Sequence, residues 1–228
     1  MARLQHAGSD VTRPVDALLF DLGRVLIELD SGRVQARWAE LAGVPALDEG
    51  IAAKIAGCEA YRSHERGEIS DAAFFAFLRR DFRLDLTDEQ FIEGWNAIFV
   101  GEMPGIRRAV SRVQGMLPLY VFSNTNALHH AYWSVHFADL LAPFRKIYAS
   151  HAIGARKPDA AAFRAVVEDM GVAPERVLFF DDIAENVAGA RACGLQAVEV
   201  RSTADVELAL ERLVGAARTA RPDTARDR

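Results

Sequence analysis

Thiols are scarce in this 228-residue chain: Cys58 and Cys193 lie far apart and in no metal-ligand spacing. That excludes a disulfide scaffold or thiolate metal centre and leaves two small apolar residues, expected to be buried, in a reducing compartment. No apolar run approaches the roughly 18 residues a membrane helix needs. Residues 1–12 lack the apolar stretch of a signal peptide, so the expected location is cytoplasmic. The net charge is −5 (27 basic against 32 acidic residues) and no basic run stands out. Neither a nucleic acid nor a membrane is therefore an expected partner.

What is present suits a globular core, since 50% of residues are apolar and 26% charged. Three short apolar runs each end in polar residues. Residues 15–20 lead to Asp21, residues 117–122 to Ser123-Asn124-Thr125, and residues 177–180 to Asp181-Asp182. Such runs read as strands buried on both faces of a parallel sheet. Ligands of open α/β sheets bind just beyond the carboxyl ends of the strands, so these polar residues should converge. After Pro104 helix and strand patterns alternate, with a last strand over 196–200 and a last helix over about 204–213. The pattern implies a Rossmann-like doubly wound parallel sheet.

Between the first two strands the pattern is helical. Val34, Trp38 and Leu41 lie at helical spacing, and Phe74, Phe75, Phe77 and Leu78 form a stripe within 71–82. Thr87-Asp88-Glu89-Gln90 has the form of a capping box opening a helix through Phe91, Trp95, Ile98 and Phe99. The expected division is a core of residues 14–29 plus 101–215 and an inserted helical unit of residues 30–100. Residues 1–13 and 216–228 are expected to be disordered.

Each polar candidate has two readings. Asp21 could be a covalent nucleophile or simply a turn residue. Asp181-Asp182 repel each other unless a cation is near, which suits Mg²⁺, yet Asp also favours a helix N-terminus. Ser123 and Asn124 could donate to a phosphoryl oxygen or close a local turn. Lys157 could offset transferring charge or be solvated. Gly23 allows close backbone approach and leaves a carbonyl free for a cation.

The order of these residues changes the balance. Phe20-Asp21-Leu22-Gly23-Arg24-Val25-Leu26, Ser123-Asn124, Lys157-Pro158 and Phe180-Asp181-Asp182 with Glu185-Asn186 resemble, in sequence, the four motifs of the haloacid dehalogenase-like hydrolase superfamily. The helical insert is similar to the cap of one of its subclasses. Residues 63–70 and 94–99, with Ser123-Asn124-Thr125-Asn126, His129 and Phe179-Phe180-Asp181-Asp182, resemble bacterial α-D-glucose-1-phosphate phosphatases. The resemblance implies a Mg²⁺-dependent phosphatase acting on a small phosphate monoester through an aspartyl-phosphate. Asp21 and Lys157 would be catalytic, and Ser123, Asn124 and Lys157 would bind substrate. Asp21, the Gly23 carbonyl and Asp182 would hold the metal, with Asp181 supporting them. His64, Arg66 and Trp95 are candidate cap contacts, each with a structural alternative. The expected assembly is a monomer or homodimer.

Gly23 occupies the position where many relatives carry a second Asp, an acid–base worth roughly 10²–10⁴-fold. Its lack is best tolerated with an acidic leaving group, such as a sugar-1-phosphate or an aryl phosphate. Arg24 is read as pointing away from the site. Two alternatives remain: a metal-independent 2-haloacid dehalogenase, and a non-catalytic binding descendant of the fold.

Overall fold

A computed structural model describes residues 13–48 and 50–219. Five fully parallel strands form the central sheet: β1 (Ala17–Phe20), β4 (Leu119–Ser123), β5 (Lys146–Ala149), β6 (Val177–Asp181) and β7 (Gln196–Glu199), in the order β5-β4-β1-β6-β7. Parallel strands covered on both faces need apolar side chains in both directions, and every residue of β1, β4 and β6 is buried. Leu18, Phe20, Val121, Leu178 and Phe180 pack on one face and Leu19, Phe122, Phe163 and Phe179 on the other. The first face is covered by α6 (Ile106–Ser111) and α12 (Thr203–Thr219). The other is covered by α10 (Ala160–Met170) and α11 (Ala184–Ala192). Short helices α7 (Ala127–His136), α8 (Ala138–Leu141) and α9 (Ser150–Ile153) complete the crossovers.

The inserted unit is a helical cap of α1 (Ser31–Leu41), α2 (Ile51–Gly57), α3 (Glu59–Glu65), α4 (Asp71–Phe82) and α5 (Asp88–Asn96). Its apolar cluster is its own, centred on Trp38, Phe74, Phe75, Leu78, Phe91 and Trp95. Local chemistry sets the helix starts. Asp30 accepts from Gly32 N–H at 2.8 Å, Ser70 accepts from Ala73 N–H at 3.2 Å, and Thr87 with Gln90 forms the reciprocal capping box. Gly94 lets α5 approach α1, because a Cβ there would lie 2.0 Å from Trp38 Cδ1.

Three details depart from the sequence reading. Phe99 does not continue α5; it opens β3 (Phe99–Glu102), which pairs antiparallel with β2 (Ile27–Leu29). This ribbon carries both chain crossings between core and cap, and its cross-chain bonds, including Asp30 N–H to Ile98 O at 2.9 Å, override the helical spacing. Helix α12 runs through Thr219, beyond the expected end near Leu213. Both cysteines are half-buried rather than buried, and Cys58 Sγ accepts the Tyr61 N–H at the start of α3. Disorder is the expectation for residues 1–13 and 216–228, yet residues 216–219 continue α12; residues 1–12 and 220–228 lie outside the described residues. Among the described residues no helix is long and apolar enough to cross a membrane.

Candidate active site

Register brings the carboxylates together. Phe20 pairs with Phe180 on one side and Val121 on the other, and Asp21 N–H donates to Phe180 O at 2.7 Å. Asp21, Asp181 and Ser123 thus emerge from three neighbouring strands at one sheet edge. One carboxylate oxygen from each of Asp21, Asp181 and Asp182 lies within 4.8 Å of the others. Lys157, only 1% exposed, drives its ammonium between them. Its Nζ donates to Asp21 Oδ1 at 2.7 Å, Asp181 Oδ2 at 2.7 Å and the Phe122 carbonyl at 2.8 Å. All three ammonium protons are therefore used.

The electrostatics follow from burial. Loss of water raises the Asp21 carboxyl to about 7, partly opposed by Lys157 and reinforced by Asp181. Asp182 is also raised, by burial and by Asp181. Arg24, in the left-handed region at φ 56°, bears on Asp182 electrostatically and favours its ionised form. Asp181 is saturated: its Oδ1 accepts from Ile183 N–H at 2.8 Å and Asn186 Nδ2 at 3.0 Å, and its Oδ2 accepts from Lys157. Asn186 belongs to the fourth motif, but its grip on Asp181 was not legible in the spacing.

Asn124 clamps the loop that carries Lys157. Its Nδ2 donates to Lys157 O and its Oδ1 accepts Lys157 N–H, both at 2.9 Å. Ser123 is buried at the strand end. Around Gly23, Leu26 and Ile27 N–H both bond Leu22 O and Arg24 N–H bonds Ile27 O, so none of these bonds uses the Gly23 carbonyl. A Cβ on Gly23 would lie 2.6 Å from Leu29 Cδ1. The space of a second acid is thus filled by a β2 side chain.

The three cap candidates are placed differently. His64 is buried, stacked on Phe74 and bonded through Nε2 to Asp71 at 2.6 Å; burial lowers its pKa. Arg66 is held by Glu59 and Glu68 of the cap itself, at 2.6 and 2.7 Å. Trp95 stacks between Trp38 and His129 and faces a cavity of about 90 Å³ shared with Tyr61, Ile98 and His129. Core residue His129 donates its Nε2–H to the cap at Trp95 O, 3.2 Å away, and burial pushes it down to about 3, so it stays neutral. Sequence reasoning did not single out Glu65, a buried cap carboxylate bonded to Arg156 at 2.8 Å. No periodic signal links residues so far apart in sequence.

These residues suit a hard divalent cation, whose oxygen ligands commonly include carboxylates: three carboxylates converge, and two are raised by burial and mutual repulsion that a cation would relieve. Residues 15–194 match the family model described as haloacid dehalogenase-like hydrolase. The chain is 26% identical over 205 residues to the drimenol cyclase drtB of Aspergillus calidoustus, covering 88% of this chain but 37% of that protein. It is 24% identical over 200 residues to the D-ribitol-5-phosphate phosphatase of Bacteroides thetaiotaomicron, covering 82% of this chain and 93% of that one. A solved enzyme of the same family from Bacteroides thetaiotaomicron, in complex with magnesium and inorganic phosphate, superposes with TM-score 0.70 at 26% identity, over 82% of this chain and 95% of the other.

Proposed function

The chain belongs to the haloacid dehalogenase-like hydrolases, and on that premise we propose that it is a magnesium-dependent phosphatase of small phosphate monoesters, a sugar phosphate such as glucose-1-phosphate among them. The observation that carries this reading is the convergence of the Asp21, Asp181 and Asp182 carboxylates, with Lys157 bonded to the first two. An uncharged reacting carbon, as in a dehalogenase, gives no reason to gather three carboxylates. Asp21, Asp182 and the Gly23 carbonyl would hold Mg²⁺, with Asp181 orienting them. The ion, when bound, neutralises negative charge that builds up at the phosphoryl oxygens.

In this reading Lys157 holds Asp21 Oδ1, leaving Oδ2 for in-line attack on phosphorus. The P–O bond to the leaving group breaks as the Asp21–phosphorus bond forms, and the leaving oxygen carries off the electron pair. Ser123 and the Asn124 backbone bind the phosphoryl oxygens, and Lys157 joins them by turning one N–H from the Phe122 carbonyl to the phosphoryl group. Water then cleaves the aspartyl-phosphate and regenerates the Asp21 carboxylate. With Gly23 offering no proton, an ester whose leaving oxygen is already acidic is favoured. The ribitol-5-phosphate enzyme acts on a primary ester, so the preference for a 1-phosphate rests on Gly23 and on the resemblance of residues 63–70 and 94–99. The cap, taken as residues 30–100 against a core of 14–29 and 101–215, selects the leaving group through its inner face, Trp95 included. The protein works in this reading as a cytoplasmic monomer or homodimer.

The test is phosphate release from glucose-1-phosphate, glucose-6-phosphate, a flavin mononucleotide and an aryl phosphate. Each is run with Mg²⁺, with chelator, and with Asp21→Asn. Release that needs Mg²⁺ and Asp21 supports the reading, with the 1-phosphate or aryl ester ahead. Activity on a haloacid that survives chelation would replace it with the dehalogenase reading. No release above the Asp21→Asn control on any ester would favour the binding descendant.

A further inference from the structure

We propose that Glu65, on the cap, is a positioning residue for Lys157, acting through Arg156; the inference rests on the phosphatase reading above. Glu65 ends α3 and is 3% exposed. Its Oε2 accepts from Arg156 Nε at 2.8 Å, and the Tyr61 hydroxyl lies against the same carboxylate from within the cap. Lys157 is close enough to favour the ionised form of Glu65. The backbone is engaged as well. Glu65 O accepts from the buried Ser150 Oγ at 2.6 Å. At Gly67 (φ +70°) a Cβ would lie 2.5 Å from His151 O, so this cap loop rests directly on the core backbone that leads to Arg156.

Two clamps therefore bracket the catalytic ammonium. Asn124 grips the Lys157 peptide from the core side, and Glu65 grips the preceding side chain from the cap side. Between them Lys157 Nζ is delivered to Asp21 and Asp181. Stability alone does not account for such a pair. Glu65 loses its water while Arg156 stays partly exposed, and the cost of burying a charge offsets much of what such a pair gains. What it does supply is a directional contact made only while the cap is seated, so that cap seating and the placement of Lys157 become one event.

Glu65→Gln keeps the shape and removes the charge; Arg156→Gln removes the other half. Each should lower kcat on an aryl phosphate about 10- to 100-fold, the scale of a small misplacement of a reacting group, with KM moved far less. The exchanged pair, Glu65→Arg with Arg156→Glu, should recover part of that loss, whereas either reversal alone should not. Amide hydrogen exchange, which needs no turnover, should quicken at residues 66–68 and 150–156 in both single variants and stay unchanged in β1. Variants that melt earlier but keep kcat within about two-fold of the parent, or leave that exchange unchanged, would overturn the inference. If the parent chain releases no phosphate above Asp21→Asn, the phosphatase reading has failed, and the exchange arm still decides whether the pair seats the cap.

Discussion

At the sheet edge Asp181 and Lys157 have their hydrogen-bonding capacity met by protein atoms. In the cap, buried His64 Nδ1, Trp95 Nε1 and Asn96 Oδ1 have no partner among the described residues. The difference is one of task. A charged site acts best when its dipoles are fixed beforehand and nothing need reorganise. Under the proposed function the cap would meet varied leaving groups, and polar atoms left uncommitted there cost about 1–3 kcal/mol for each unsatisfied buried group.

The largest effect should come from the fixed side. Asp21→Asn should cut turnover by roughly 10⁴-fold or more, as loss of a nucleophile does, measured as phosphate release under saturating Mg²⁺. The same variant tests the electrostatics. Because the folded carboxyl is raised to about 7, well above its unfolded value, Asp21 stabilises the metal-free fold at low pH. That contribution is lost as pH rises from about 4 through about 7. Metal-free Asp21→Asn should therefore melt higher than the parent at pH 8, and the gap should shrink toward pH 4. A gap independent of pH would sink the assignment.

Next comes Lys157→Met, which leaves buried carboxylates without their cation. It should cost about 3–5 kcal/mol in denaturant unfolding and most of the activity. Mg²⁺ should restore part of that stability, since the ion answers the same repulsion. In the parent chain Mg²⁺ should raise the melting temperature more at pH 8 than at pH 5, by about 2.7 kcal/mol equivalent at a hundred times its dissociation constant. Equal shifts at both pH values would argue that the ion binds elsewhere.

Gly23→Asp probes the boundary between the two regions. Alone it collides with Leu29 and should not help. Combined with Leu29→Ala it should raise turnover of glucose-6-phosphate relative to glucose-1-phosphate, by about 10-fold if the new acid reaches the leaving oxygen. The smallest effect belongs to the cap. Trp95→Phe removes an unpartnered N–H, a gain of about 1–3 kcal/mol that the lost packing of the larger buried ring offsets, so stability should change little while KM alters differently for different esters.

Much of this was legible in the chain. Asp21, Ser123 and Asp181-Asp182 follow buried apolar runs, and strand ends of a parallel sheet are where such residues meet. The capping box at Thr87 was legible because caps are local. The β2–β3 ribbon was not, since Phe99 sits at helical spacing from Trp95 and only its partners in residues 27–29 make it a strand. Arg66 carries the charge of a ligand contact, yet Glu59 and Glu68 already hold it.

The amino-acid order alone determined the sheet, the helical insert and the identity of the acids and the lysine, because these depend on short periodicities and on chemistry at strand ends. Only the tertiary structure decided that Lys157 divides its three protons between Asp21, Asp181 and the Phe122 carbonyl, that Leu29 lies beside Gly23, and that Glu65 meets Arg156 across the cap–core boundary. The first and last join segments far apart along the chain and leave no periodic trace, and all three are set by packing, which is a property of the assembled layers.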